Sequence, residues 1–167
     1  KNILKECPGA SFIYDVKCTS LLPAEIEKNG GESFICRTGH SFIKEMMLDK
    51  NAQLGGEMSG HIFFKNRWYG FDDAIYAGAR MLEMLSLNNE SDNFFSSVLS
   101  GHSTPEINIE LEEGEAQHLV ERTMLSLKSV KGKVITVDGI RIEKENAWGL
   151  MRASNTTPSL VLRFEGD

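Results

Sequence analysis

The sequence predicts an α/β mixed-sheet three-layer domain over residues 1–102, followed by a small α+β domain with an antiparallel sheet over residues 103–167. Three observations predict it. Apolar strand-like runs alternate with helix-period runs through the first hundred residues, the pattern of a layered α/β unit. Gly101-His102-Ser103-Thr104-Pro105 then reads as a linker, being rich in residues that punctuate structure. Beyond it, strand-like runs follow one another with a single helical pattern among them, as in an antiparallel sheet covered by one helix.

Taken in order, Lys1 stands within a helical run that leads to Ser11-Phe12-Ile13-Tyr14-Asp15-Val16, a buried strand. Thr19 or Ser20 caps a helix to about Lys28, stopped by Asn29-Gly30-Gly31, since hydroxyls favour helix starts and glycines helix ends. Ser33-Phe34-Ile35-Cys36-Arg37 is a second strand. Thr38-Gly39-His40-Ser41 opens a helix to about Asp49, with Phe42, Ile43, Met46 and Met47 as its apolar stripe. Residues 52–54 and Ile62-Phe63-Phe64-Lys65 are expected to pair antiparallel around a glycine-rich loop. Asp72-Asp73 is read as helix-start chemistry for a helix to about Leu87, its inward face Ile75, Ala79, Leu82 and Leu85, or Met81 and Met84. Residues 88–92 form a polar break and 93–100 a short helix.

In the second domain, residues 106–111 alternate as a strand and 115–127 form an amphipathic helix. Residues 133–137 are expected to pair with 140–143 across Asp138-Gly139, a favoured two-residue hairpin. Residues 148–151 and 160–164 are further strands, joined by a loop from Arg152 to Pro158. The antiparallel sheet lacks a second covering helix, and the chain opens inside a helical run without methionine. Both features lead to the expectation that this is part of a longer polypeptide.

Composition narrows the function. A formal charge of -6 with no block of Lys or Arg argues against a nucleic-acid surface. No apolar run reaches the ~20 residues of a membrane span and the first residues lack a signal-peptide core, so the expectation is a cytoplasmic protein with no membrane partner. Cys7, Cys18 and Cys36 are odd in number without CxxC spacing, which points to neither a disulfide framework nor a zinc site.

Two loops carry the chemistry. Gly55-Gly56-Glu57-Met58-Ser59-Gly60-His61 places a carboxylate, a hydroxyl and an imidazole between strands. Glu57 can accept from two sugar hydroxyls, Ser59 can donate or accept, and His61 can meet a hydroxyl or a phosphate. Its glycines allow close backbone approach and positive φ. Arg152-Ala153-Ser154-Asn155-Thr156-Thr157-Pro158 offers a guanidinium, suited to bidentate phosphate contact, with Ser154, Asn155 and Thr156 as neutral donors. Together they point to a phosphorylated sugar. A capped surface turn and a bland hairpin are the competing explanations. Lys17 and His40 follow consecutive strands, where ligands of open α/β sheets bind, and there they supply positive charge or move a proton. Trp68-Tyr69 serves packing in preference to sugar stacking. His102 and His118 are read as surface residues, and no metal-ligand set is read from the sequence.

With both loops in hand, the chain resembles the α-D-phosphohexomutase family, its bacterial phosphomannomutase/phosphoglucomutase group. Asp15-Val16-Lys17-Cys18, Arg37-Thr38-Gly39-His40-Ser41, residues 56–61, 68–73, Ser103-Thr104-Pro105-Glu106 and 152–158 carry the likeness in order along the whole chain. The resemblance implies the third domain and most of the fourth of a four-domain enzyme. It implies interconversion of hexose 1-phosphate and hexose 6-phosphate through a bisphosphorylated sugar. Glu57, Ser59 and His61 would bind the sugar, Arg152, Ser154, Asn155 and Thr156 the phosphate not being transferred, and Lys17 and His40 would support phosphoryl transfer. Mg²⁺ and glucose 1,6-bisphosphate are the implied cofactor and activator, and mannose or glucose 1- or 6-phosphate the implied substrates. The family's phosphoserine loop and Asp-Gly-Asp-Gly-Asp metal loop do not occur in the 167 residues. The expectation is that this stretch alone is inactive, its partners being the two preceding domains. A phosphoglucosamine mutase ranks second, because that branch differs at Met58 and in the phosphate loop. A non-catalytic phosphosugar-binding module is the third reading.

Overall fold

Strand β1, Ser11–Asp15, is apolar on both faces because both faces are covered. In the computed structural model, which describes residues 1–87, 101–127 and 130–166, Ile13 points to one side of the sheet and Phe12 to the other. The polar break and short helix read at 88–100 lie outside the described residues. The chain divides into two compact units, Lys1–Leu99 and Ser100–Asp167.

The first unit runs α1 (Asn2–Glu6), β1, α2 (Leu21–Lys28), β2 (Glu32–Cys36), α3 (His40–Asp49), β3 (Leu54–Gly56), β4 (Ile62–Phe64) and α4 (Ala74–Leu87). Its sheet has the order β2-β1-β3-β4. β1 is parallel to β2 and β3, and β4 closes the edge antiparallel to β3. Ile43 and Met47 of α3 pack with Ile13, Cys36, Ala52 and Phe63 on one face. Ile3 and Leu4 of α1 and Ile26 of α2 pack with Phe12 on the other. This is the three-layer arrangement that the alternating pattern predicts.

Ser20 is the N-cap residue of α2, and Thr19 just before it closes the turn into the helix, its Oγ1 accepting from the Leu21 N–H at 3.2 Å. In α4 it is Asp73 that starts the helix, its Oδ1 accepting from the Tyr76 N–H at 2.9 Å. The inward face of α4 differs from the aliphatic stripe read in the sequence. Ile75 is 88% exposed, and Leu82 and Ala79 also face solvent, while Arg80 is buried. Tyr76 stacks on Trp68 at 4.2 Å and 7° between planes. The Arg80 guanidinium lies over Phe64 at 4.8 Å and donates to Asn66 O and Oδ1, each at 3.0 Å. An aromatic and a stacked guanidinium with satisfied donors occupy the inward side, at the i, i+4 spacing of one helix face.

In the second unit, β5 (His102–Ser103), β6 (Ile107–Glu110), β7 (Lys133–Ile135), β8 (Ile140–Lys144), β9 (Ala147–Ala153) and β10 (Ser159–Gly166) form an antiparallel sheet with α5 (Glu115–Leu125). The order is β5-β10-β9-β8-β7, with β6 also paired to β10. Ala116 and Val120 of α5 pack on Ile140 and Leu160. The opposite face of the sheet carries buried Arg141, Trp148, Leu150, Arg152 and Val161, the Arg141 guanidinium 3.8 Å from the Trp148 ring centre.

Three expectations are corrected here. The linker reading of 101–105 gives way to β5, which pairs Ser103 with Glu165, and to a Thr104 N–H bond to Phe164 O at 2.9 Å. The hairpin at Asp138-Gly139 is not a two-residue turn: Ile135 pairs with Arg141, leaving five residues between them. Gly139 sits there at φ +79 with the Met151 carbonyl and Arg152 Cβ directly against it, so no side chain fits. Arg152 and Ala153 belong to β9, and the loop begins only at Ser154.

The glycine-rich segment is also less of a loop than expected. Gly55 and Gly56 lie in β3, and in this segment only Gly60 has positive φ. Gly55 is required for proximity: a Cβ there would stand 2.5 Å from Met47 Sδ and 2.8 Å from Ile43 Cγ2. Gly55→Ala is therefore expected to cost about 1–3 kcal/mol through overpacking between β3 and α3. Urea unfolding measures it, and an unchanged midpoint would mean that α3 backs away freely.

Candidate functional site

The carboxyl ends of the three parallel strands open on one edge of the first sheet, the edge where open α/β sheets bind ligands. Asp15, the last residue of β1, is fully buried there and collects donors from all three ends. Its Oδ1 accepts from the Lys17 N–H at 3.2 Å, Cys18 Sγ at 3.2 Å and the Met58 N–H at 3.3 Å. Its Oδ2 accepts from Thr38 Oγ1 at 3.3 Å and lies 3.9 Å from Lys17 Nζ. Burial pushes the Asp15 carboxyl above its ordinary value, against the lowering pull of the Cys18 bond, Lys17 and the Met58 N–H.

Glu57 follows β3 and turns back to the start of α3. Its Oε1 accepts from the Gly39 N–H at 3.0 Å, and its Oε2 from Ser59 Oγ at 3.1 Å. A carboxylate at a helix N-terminus is stabilised by the unpaired N–H groups there. The Gly60 N–H to Glu57 O bond at 3.0 Å and the Glu57 N–H to His61 O bond at 2.9 Å close the turn. Each Glu57 oxygen still has capacity for a second donor.

His61 and His40 meet at Asp72. His61 Nδ1 is 2.8 Å from Asp72 Oδ2, His40 Nε2 is 3.8 Å from the same oxygen, and the Ile62 N–H donates to Asp72 Oδ1 at 3.2 Å. The two imidazoles contact edge to face at 4.2 Å. Asp72 is thus more than helix-start chemistry, a role that falls to Asp73. Desolvation acts to raise the Asp72 pKa, but the His61 bond, the Ile62 N–H and the charges of His61 and His40 together hold it below its ordinary value. Lys17 and His40 meet different carboxylates, Asp15 and Asp72.

In the second unit the Arg152 side chain is buried and gives its Nε to Asp138 Oδ2 at 2.9 Å. Nη2 of the same guanidinium is buried without a hydrogen-bond partner. The placing of Arg152 in the loop is corrected: it is a strand residue whose Nε is held by Asp138, with Nη2 left without a partner. The following turn is braced by Ser154, whose Oγ accepts from the Thr156 and Thr157 N–H groups at 3.3 Å each and from Thr157 Oγ1 at 3.1 Å. Asn155 and Thr156 are exposed.

Sequence reasoning missed Asp15, Asp72 and Asp138 as positioning groups, and it read no metal-ligand set. Among the described residues, His40, His61 and Asp72 do bring one ligand atom each to within 4.8 Å of one another. Trp68 packs on Tyr76 and donates Nε1 to Asp73 Oδ2 at 3.2 Å, while Tyr69 is exposed. Cys7, Cys18 and Cys36 are not joined in disulfides. No helix among the described residues is long and apolar enough to cross a membrane.

A depressed carboxyl stabilises the fold above the ordinary aspartate value, about 4, and loses that contribution as pH falls through its lower folded value. The stability gap between wild type and Asp72→Asn is therefore expected to be present at pH 5 and to close on acidification below the ordinary value. Urea unfolding at the two ends of that window reads it, and a gap that stays constant would separate Asp72 from both imidazoles.

Comparison with known proteins bears on both units. Residues 1–100 match the family model of phosphoglucomutase/phosphomannomutase alpha/beta/alpha domain III, and residues 106–167 match its C-terminal domain. The chain is 49% identical to a phosphoglucomutase of Neisseria gonorrhoeae and 49% identical to a phosphomannomutase/phosphoglucomutase of Pseudomonas aeruginosa. All of this chain is covered in both cases, and it spans 37% and 36% of those proteins. A crystal structure of a phosphoglucomutase/phosphomannomutase family protein from Burkholderia thailandensis superimposes with a TM-score of 0.90 at 42% identity, covering 99% of this chain and 35% of that one. With matched models over nearly its whole length, the chain belongs to the phosphoglucomutase/phosphomannomutase family.

Proposed function

We propose that this chain is the sugar- and phosphate-recognising part of a phosphohexomutase that interconverts hexose 1-phosphate and hexose 6-phosphate through a bisphosphorylated intermediate. Residues 1–102 take the sugar hydroxyls through Glu57, Ser59 and His61. Residues 103–167 take the phosphate that is not being transferred, through Arg152, Ser154, Asn155 and Thr156. Lys17 and His40 supply positive charge and proton handling to the reacting phosphoryl group. The observation that carries the reading is the buried Arg152, whose Nε is held by Asp138 while Nη2 has no partner. A buried donor left unpaired is costly, typically about 1–3 kcal/mol, and an anion oxygen relieves that cost with a charge-assisted bond.

Glucose and mannose 1- and 6-phosphates are the proposed substrates, since contacts to hydroxyls other than the 2-hydroxyl accept both sugars. The phosphoryl donor serine and the Mg²⁺ loop of the family are not in these 167 residues. The residues present do not suit Mg²⁺: the one close group of metal-ligand side chains among the described residues has two imidazoles and one carboxylate, whereas Mg²⁺ prefers an octahedron of oxygens. The donor serine, Mg²⁺ and the partners that complete catalysis are therefore proposed to belong to the two further domains of the longer relatives, with glucose 1,6-bisphosphate as intermediate and activator. A cytoplasmic location accompanies this reading.

The test is an NMR titration of the chain with glucose 1-phosphate and mannose 1-phosphate. Amide shifts are expected at 57–61 and 152–157. Glu57→Ala and Arg152→Ala are each expected to weaken binding roughly 10-fold or more, the worth of one hydrogen bond to a charged group. Ser154→Ala repeats the test while leaving the Arg152–Asp138 pair in place. Shifts that avoid both loops would overturn the assignment.

A further inference from the structure

His40 begins α3, His61 immediately precedes β4, and Asp72 lies two residues before α4. Three separate elements therefore converge on one point, and the convergence comes with a ligand set that no role above requires in full. Asp72 Oδ2 is 2.8 Å from His61 Nδ1 and 3.8 Å from His40 Nε2, and the ligand atoms all fall within 4.8 Å of one another. Tetrahedral or octahedral bonds of the usual zinc length place neighbouring ligand atoms about 2.9–3.4 Å apart. Reaching that spacing takes an opening of the first contact and a closing of the second, each by a few tenths of an ångström, together with rotation of the two imidazoles to draw their nitrogens together from the 4.8 Å within which the set lies. Both histidine side chains and Asp72 are partly exposed, so the rings have room to turn on their solvent side and water can fill the remaining positions, while His40 stays in edge-to-face contact with buried Phe63 at 5.3 Å between ring centres.

The geometry points to a transition-metal site of two histidines and one carboxylate at His40, His61 and Asp72, which takes Zn²⁺ or Co²⁺ and discriminates against Mg²⁺. Imidazole nitrogen suits the borderline cations, and a single carboxylate gives too little hard-oxygen character for Mg²⁺. The Ile62 N–H on Asp72 Oδ1 leaves Oδ2 as the ligating oxygen and fixes its direction, as outer hydrogen bonds do in metal sites. On binding, the metal takes the place of the proton between His61 Nδ1 and Asp72. Such an ion would occupy His61 and exclude a phosphosugar from it. That consequence alone rests on the function proposed above.

The test reads metal binding without sugar, so the two ideas fail separately. Zn²⁺ is titrated into the full chain while the ring signals of its four histidines are followed by NMR. His40 and His61 are expected to shift together and saturate, while the exposed His102 and His118 serve as internal controls and stay in place. Asp72→Asn is expected to weaken Zn²⁺ at least ~10-fold, and His40→Ala to do the same, with His40→Gln as a second variant that keeps bulk beside Phe63. Millimolar Mg²⁺ should neither shift the rings nor displace Zn²⁺. Equal movement of all four histidines, no movement of His40 and His61, or an affinity untouched by substitution at both positions would each overturn the site.

Discussion

The structure of the first unit depends on one buried carboxylate. Asp15 stands at the end of the central strand, and its two oxygens accept from β1's own continuation, from Thr38 after β2 and from Met58 after β3. Parallel strands set the register of their ladders and not the course of the loops beyond them, and Asp15 is the one group described here that bonds all three segments, with the Glu57 bond to the Gly39 N–H tying two of them a second time. The arrangement is expensive. Burial raises the Asp15 carboxyl above its ordinary value, so between that value and the folded one the native state binds more protons than the unfolded chain and stability falls as pH rises. Removing the carboxylate would still be worse, because its donors would be left in a buried place with no acceptor.

Two further aspartates repeat the device. Asp72 holds His61 and faces His40, and Asp138 holds Arg152. In each case an acidic side chain fixes a nitrogen-bearing group proposed above to meet the ligand. Glu57 belongs to both classes, since it satisfies the Gly39 N–H at the start of α3 and keeps acceptor capacity on each oxygen. The site groups are thus held before any ligand arrives, which lowers the ordering cost of recognition.

Much of the fold was legible because hydrophobic period and turn chemistry agreed. The α3 stripe of Ile43 and Met47 and the β3–β4 pair around residues 57–61 fall where the sequence places them. The errors share a cause. Asp72 next to Asp73 has a sufficient local explanation as a helix start, Asp138 next to Gly139 has one as a hairpin turn, and Asp15 has one as the polar end of a strand. Each explanation is local, whereas each aspartate also has a partner 11 or more residues away, at Asp72–His61, Arg152–Asp138 and Asp15–Met58. The α4 face was misread for a similar reason. Periodicity ranks Ile75 and Leu82 as the natural core side, and only the tertiary positions of Phe64, Asn66 and Trp68 show why Tyr76 and Arg80 win.

Asp138 shows how such a distant requirement can reshape the local structure that concealed it. A two-residue turn would pair Val137 with Ile140, whereas the observed register pairs Ile135 with Arg141 and widens the turn. In that wider turn Gly139 rests against the Met151 carbonyl and Arg152, and the Asp138 carboxylate reaches Arg152 Nε at 2.9 Å. A favoured local turn costs little to abandon, while a buried guanidinium without a counter-charge costs several kcal/mol. The stronger demand decides the register. It also leaves Nη2 of Arg152 buried without a partner, so the geometry of the hairpin and the proposed affinity of the neighbouring loop for an anion have the same origin.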